Sequence, residues 1–240
     1  MRRRAKVLII ELNTEYALVI HLKMTGQLVF RSPKASFGAG HPTASLVGQL
    51  PDNSTRVTLT FTDGSQLFFN DQRKFGWMRL MPTIEVENLD FFRKVGPEPL
   101  AADFRWQDLR ERLKRRSKTS IKAALLDQAV IAGIGNIYAD ESLWGAKIHP
   151  ATIVSKLSDA KIRTLYEEIV FVLELAIEKG GSTDKNYVNA EGKRGSYLSF
   201  ARVFRREGQP CPRHPDTDII KIRVAGRGTH ICPRCQKLPK

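Results

Sequence analysis

The chain has 240 residues, room for one large domain or two modest ones with a real core. Its 42% hydrophobic and 27% charged residues exclude a disordered chain, and no apolar run approaches the ~18 residues of a membrane span. Lys and Arg number 39 against 25 Asp and Glu, a formal charge of +14 that disfavours a small cationic substrate and favours a polyanion, chiefly nucleic acid or an anionic membrane surface. The basic opening is followed by an apolar run, residues 7–10, too short for a secretory leader, so the chain is expected in the cytoplasm.

Residues 1–81 read as strands. Segments 5–12 and 16–22 flank a polar turn at 13–15, and Val57, Leu59 and Phe61 alternate with threonines in the period of a half-buried strand. Asp63-Gly64 signals a hairpin into 66–70, whereas 32–55, rich in Gly, Pro and Ser, reads as a long surface loop. This half is expected to be a β-sandwich. Prolines at 82, 97 and 99 mark residues 82–104 as an extended linker. Helical spacing then governs 105–181: a basic stretch at 105–116, then 119–128, 136–147, and a long helix capped at Ser158 and stopped at Gly180-Gly181. Residues 182–209 read as a mobile loop followed by a short strand around 199–204. The tail, 210–240, is basic and carries the three cysteines. The fold class is therefore α+β.

The strongest spacing lies in that tail. Cys211 and His214 are separated by two residues, as are Cys232 and Cys235, with 17 residues between the pairs. Two such turns facing each other across a hairpin complete a tetrahedron, and thiolate and imidazole donors suit one structural Zn2+. A redox pair at Cys232 and Cys235 is the alternative, but such a motif opens a helix, and none is read there. The intervening Ile219, Ile220, Ile222 and Val224 predict hairpin strands with a turn at Gly226-Arg-Gly228, aiming Arg227 into a phosphate backbone. Residues 132–141 form a second phosphate candidate, a Gly-rich turn opening a helix, where free N–H groups and the dipole meet the Asn136 amide.

Six segments together resemble the formamidopyrimidine-DNA glycosylase family: Arg3-Arg-Ala-Lys6, His21-Leu-Lys-Met-Thr-Gly26, Asp71-Gln-Arg-Lys-Phe-Gly76, Val95-Gly-Pro-Glu-Pro-Leu100, Gly133-Ile-Gly-Asn-Ile-Tyr-Ala-Asp-Glu141 and the zinc hairpin. The resemblance implies a base-excision enzyme, a glycosylase with abasic-site lyase activity, acting as a monomer on double-stranded DNA with an oxidised purine or abasic site, within the nucleoid. It implies that Met24 fills the vacated stack, Arg73 faces the orphaned base and Phe75 wedges beside it. Lys6, Asn136 and Arg227 would grip phosphates, 105–181 would be a helix-two-turn-helix domain, and 182–199 would close over the flipped base.

The chain departs from the family in three smaller ways and one large one. His214 stands where a cysteine is usual, Lys74 where an arginine is frequent, and 32–55 is long for the family loop. The large departure is at the front: the family's N-terminal proline amine, which attacks C1′, and its adjacent glutamate belong to an opening Pro-Glu-Leu-Pro-Glu-Val-Glu that is absent. The chain is thus expected to be N-terminally truncated and a poor or dead glycosylase, with Lys6 as auxiliary amine and with Val7 and Ile9 on exposed sheet surface. A non-catalytic binder of distorted DNA and an endonuclease VIII-like pyrimidine enzyme stay open as alternatives.

Overall fold

The protein, seen here in a computed structural model, is described over residues 1–41, 43–182 and 195–239. It divides into two units, Met1–Arg93 with Lys179–Leu198, and Lys94–Glu178 with Ser199–Lys240. Among the described residues no helix is long and apolar enough to cross a membrane.

The first unit is a β-sandwich. Its strands are β1 (Arg2–Arg4), β2 (Val7–Glu11), β3 (Tyr16–His21), β4 (Gly26–Arg31), β5 (Ser36–Gly40), β6 (Thr55–Thr60), β7 (Gln66–Asp71) and β8 (Trp77–Pro82). They form two four-stranded antiparallel sheets, ordered β1-β2-β3-β8 and β5-β4-β7-β6. The period-two pattern of β6 holds in space: Val57 and Leu59 are half-buried, and Arg56, Thr58 and Thr60 are exposed.

Four expectations fail here for physical reasons. The first strand is a hairpin: β1 pairs with β2, Arg4 opposite Val7, across a turn at Ala5 and Lys6. An all-arginine strand has no hydrophobic period, and what anchors it is ionic, Arg2 reaching Glu11 at 3.0 Å and Glu87 at 2.7 Å. Val7 and Ile9 are fully buried rather than exposed. The long loop 32–55 contains β5 and a 3-10 turn at Ala44–Leu46. Only Phe37 gives β5 a large apolar side chain, and it stacks on Phe30 directly across the pair at 4.9 Å. The linker 82–104 likewise holds a 3-10 helix, Thr83–Asn88, and α1 (Asp90–Lys94), tied down by buried Val86 and Phe92.

The second unit holds α2 (Trp106–Lys114), α3 (Ile121–Leu126), α4 (Asn136–Gly145) and α5 (Asp159–Glu178) around one core that includes Leu109, Leu125, Leu143, Leu165 and Ile169. Ser120 caps α3 through Ala123 N–H, and the Ser158 hydroxyl accepts from Lys161 N–H at 3.4 Å before α5. No strand forms at 199–204. Residues Tyr197–Phe200 make a 3-10 turn, and the N–H groups of Arg202, Val203 and Phe204 all go to the buried Glu141 carboxylate at 2.8–2.9 Å. A ladder partner is therefore not needed. The tail forms β9 (Pro210–Cys211), β10 (His214–Asp218), β11 (Ile220–Val224) and β12 (Arg227–Ile231). The turn between β11 and β12 is Ala225-Gly226, both left-handed at φ 50° and 72°, one residue earlier than 226–228. That two-residue geometry matches the twist of a hairpin. Arg227 is thus the first residue of β12, opposite Val224, rather than the tip.

Candidate metal centre and nucleic-acid interface

The donor atoms of Cys211, His214, Cys232 and Cys235 all lie within 4.8 Å of one another. Cys211 Sγ is 3.7 Å from Cys235 Sγ, and His214 Nδ1 is 3.1 Å from that sulfur. A tetrahedron with zinc–sulfur bonds of about 2.3 Å has edges of about 3.8 Å, so the cluster has the right size for the ion. Burial, then the neighbouring Cys232 and Cys211, push the Cys235 thiol up to about 12. A divalent cation relieves that crowding by taking the sulfurs as thiolates. All four positions come from protein, which makes the centre structural. Around it, Gln236 accepts from Cys232 N–H at 3.1 Å and donates to the Ile148 carbonyl at 2.9 Å, fixing the knuckle to the end of α4.

The hairpin is held to the helices by a buried ion pair that the sequence reading missed. Lys122 Nζ, on α3, lies 2.6 Å from Asp140 on α4, both side chains fully buried. The same ammonium donates to Thr229 Oγ1 at 2.7 Å and to the Gly228 carbonyl at 3.2 Å. Asp140 also accepts from His230 N–H at 2.9 Å. Burial pulls the Lys122 amine below its usual range, Asp140 opposes this, and the positive charge of Arg227 adds to it. Asn136, at the start of α4, donates its amide to the Gly228 carbonyl at 3.0 Å. The structure therefore brings Asn136 and the base of the Arg227 strand together in one unit. In sequence Lys122 looks like a solvated lysine on a short apolar helix, while Asp140 and Glu141 at least stand in a quoted segment.

At one end of the sandwich, two crossover turns lie side by side. The β3–β4 turn carries Met24 and the β7–β8 turn carries Arg73 and Phe75. Each passes from one sheet to the other, and they meet because Gly26 pairs with Asp71 while His21 pairs with Trp77. Met24 and Phe75 are each 56% exposed, and the Arg73 guanidinium sits 5.0 Å over the Phe75 ring. Beneath them the carboxylate of Asp71, 1% exposed, accepts from the Thr25 hydroxyl, from Arg73 N–H at 3.2 Å and from Gly76 N–H at 2.6 Å. Burial alone would raise its pKa, but these donors hold the carboxyl below the ordinary range. Lys6 is exposed at the β1–β2 turn of the same unit. Burial, then the charges of Lys23 and Lys6, lower His21 to about 4, so that imidazole is neutral and accepts from Lys23 N–H at 3.0 Å. Residues 183–194, on which the capping-loop expectation rests, lie outside the described residues.

A β-sandwich unit, a helical unit and a zinc-knuckle hairpin define the helix-two-turn-helix, zinc-finger class of architecture. Family models agree segment by segment: the formamidopyrimidine-DNA glycosylase N-terminal domain matches residues 1–78, its H2TH domain 95–187, and the zinc finger found in FPG and IleRS 208–238. Formamidopyrimidine-DNA glycosylase of Desulforamulus reducens is 41% identical over 98% of this chain and 79% of its own length; that of Roseiflexus sp. is 44% identical over 98% and 80%. Among solved structures, Lactococcus lactis Fpg in complex with DNA containing an abasic site superposes with TM-score 0.82 at 37% identity. A MutM complex with DNA containing carbocyclic 8-oxo-G gives 0.81 at 36%; each match covers 98% of this chain and 80% of the other. The chain belongs to the formamidopyrimidine-DNA glycosylase family, and Cys211, His214, Cys232 and Cys235 are the ligands of its one structural zinc.

Proposed function

We propose that this chain works in base-excision repair as a glycosylase and abasic-site lyase of the formamidopyrimidine type, binding double-stranded DNA with an oxidised purine or an abasic site as a monomer in the nucleoid. The observation that carries the reading is the pair of exposed apolar side chains, Met24 and Phe75, on turns held from below by a buried carboxylate. Rigidly presented apolar side chains beside an arginine suit insertion into a base stack, where they replace stacking lost when a nucleotide is flipped, a cost of a few kcal/mol. In this reading Met24 enters the vacated position, Arg73 meets the unpaired base and Phe75 wedges the neighbouring step. Lys6, the Asn136 helix start and Arg227 grip phosphates, which the charge of +14 favours. The relatives solved with abasic-site and 8-oxo-G DNA support the substrate class.

The covalent step requires an amine beside C1′ of the sugar. Lys6, exposed at the β1–β2 turn, is the amine the reading brings to the lesion. Its unprotonated Nζ would add to the C1′ aldehyde of an opened abasic sugar and lose water to give a Schiff base; loss of a C2′ proton to solvent would then form the C2′–C3′ double bond and expel the 3′ phosphate. A lysine amine is expected to act on the ready aldehyde of an abasic sugar and to displace an intact base poorly. Borohydride trapping of this chain on an 8-oxoguanine duplex and an abasic duplex tests both statements. The expected result is a salt-sensitive gel shift with both duplexes and at most a slow adduct with the abasic one, abolished by Lys6→Met. Affinity that does not change between low and high salt would refute the DNA reading. Efficient trapping on 8-oxoguanine would refute the chemistry assigned here.

A further inference from the structure

We infer that Asp71 and Thr25 are positioning residues that lock the Met24 turn and the Arg73–Phe75 turn into a single unit, so that insertion into DNA is one concerted event. The inference rests on the DNA reading of those turns and deepens it.

The Asp71 carboxylate does two separable things. With Arg73 N–H and Gly76 N–H it caps its own turn, as an aspartate at a strand end commonly does. Its bond with the Thr25 hydroxyl is different, because it crosses to a turn 46 residues away. Thr25 Oγ1 also accepts from Arg73 N–H at 3.2 Å, so Thr25, Asp71 and Arg73 close a triangle spanning both turns. The turns are built alike. In each, a lysine in left-handed conformation, Lys23 at φ 51° or Lys74 at φ 58°, directly precedes the exposed apolar residue. A glycine then follows with no space for a side chain: a Cβ at Gly26 would stand 2.4 Å from the Leu22 carbonyl oxygen, and one at Gly76 2.8 Å from Phe69 Cζ. Each turn is pinned at its base, and the triangle joins their outer portions. A side chain inserted from one turn then carries the other with it, and binding energy gained at either is shared.

The test uses the 240-residue chain and the ratio of its Kd for an intact duplex to that for a duplex containing a tetrahydrofuran abasic analogue. Thr25 is only half-buried, so Thr25→Val removes the hydroxyl at constant shape. It is expected to lower the ratio about fivefold, chiefly through a weaker Kd for the abasic duplex and with some loss of Tm as Asp71 loses a donor, and Thr25→Ser is expected to restore both. Met24→Ala and Arg73→Ala are each expected to lower the ratio about tenfold, and the double variant less than the product of the two. A Thr25→Val protein with full discrimination, equal losses in Thr25→Val and Thr25→Ser, or independent multiplication of the Met24 and Arg73 effects would each overturn the coupling. An unsubstituted chain that does not discriminate at all would overturn the DNA reading itself, and the coupling with it.

Discussion

The two candidate contact regions solve one problem, the rigid aiming of exposed side chains, with opposite electrostatics. In the sandwich a single buried anion, Asp71, is met by neutral donors that the strand register already places beside it. In the helical unit, a full ion pair, Lys122 with Asp140, joins segments 18, 90 and 107 residues apart, and a metal centre finishes the work. The difference follows from what each region has to pack. The turns hang from two sheets with a shared core, so a few dipoles suffice. The hairpin of β11 and β12 is a two-stranded ribbon, and such ribbons are marginal alone. It needs anchors of larger energy, at the cost of burying charge.

That contrast can be broken at its strongest point by removing zinc. Structural zinc contributes on the order of 10 kcal/mol to a small zinc module, so chelation or Cys232→Ser should release one equivalent of metal and abolish hydrogen-exchange protection across 208–238, leaving the sandwich strands protected. Loss of protection in both regions would mean that the sandwich is not self-sufficient. Next in size is Lys122→Met, which strands Asp140 in the core and should cost about 3–5 kcal/mol in urea unfolding. The paired Lys122→Met/Asp140→Leu variant should recover most of that stability but not DNA affinity.

The sandwich should show its dependence on a neutral imidazole in acid. His21 titrates at about 4 when folded against 6.5 when free, so it contributes stability above pH 6.5 that is lost as pH falls from 6.5 to 4 while the unfolded chain takes up the proton. The loss should total about 3 kcal/mol by pH 4. A His21→Asn chain should have a flatter profile in that window; an unchanged profile would place the acid sensitivity elsewhere. Least affected should be Arg163→Ala, which deletes an exposed pair with Glu167 on α5 and should move stability by less than about 0.5 kcal/mol.

The zinc ligands were legible in the sequence because a metal imposes spacing, and the long helix because its apolar stripe, Ile162 to Ala176, repeats over about four turns. The sandwich was legible as a class, from the alternation around Val57. The parts that escaped depend on partners distant in sequence. Strand β1 is a run of arginines whose reason to be a strand is Glu11 and Glu87. The strand expected around 199–204 is pre-empted by a glutamate on α4. Val7 and Ile9, expected at an exposed face, are sealed inside. For the candidate site, the exposed Met24 and Phe75 stand in motifs that reading by resemblance picks out, whereas the groups that hold them, Thr25 and Asp71, look like ordinary turn residues. Lys122 left no local signal at all.

The metal centre described above has an optical consequence through Trp144 of α4. Two guanidinium groups stand over its buried ring, Arg213 at 3.9 Å and Arg202 at 4.9 Å, in the cluster that contains Cys211, Cys232 and Cys235. The other two tryptophans, Trp77 and Trp106, belong to β8 and α2. The indole at the knuckle is therefore a built-in chromophore whose emission should change with the state of the metal centre, so that loading and loss of zinc could be followed in the unlabelled chain.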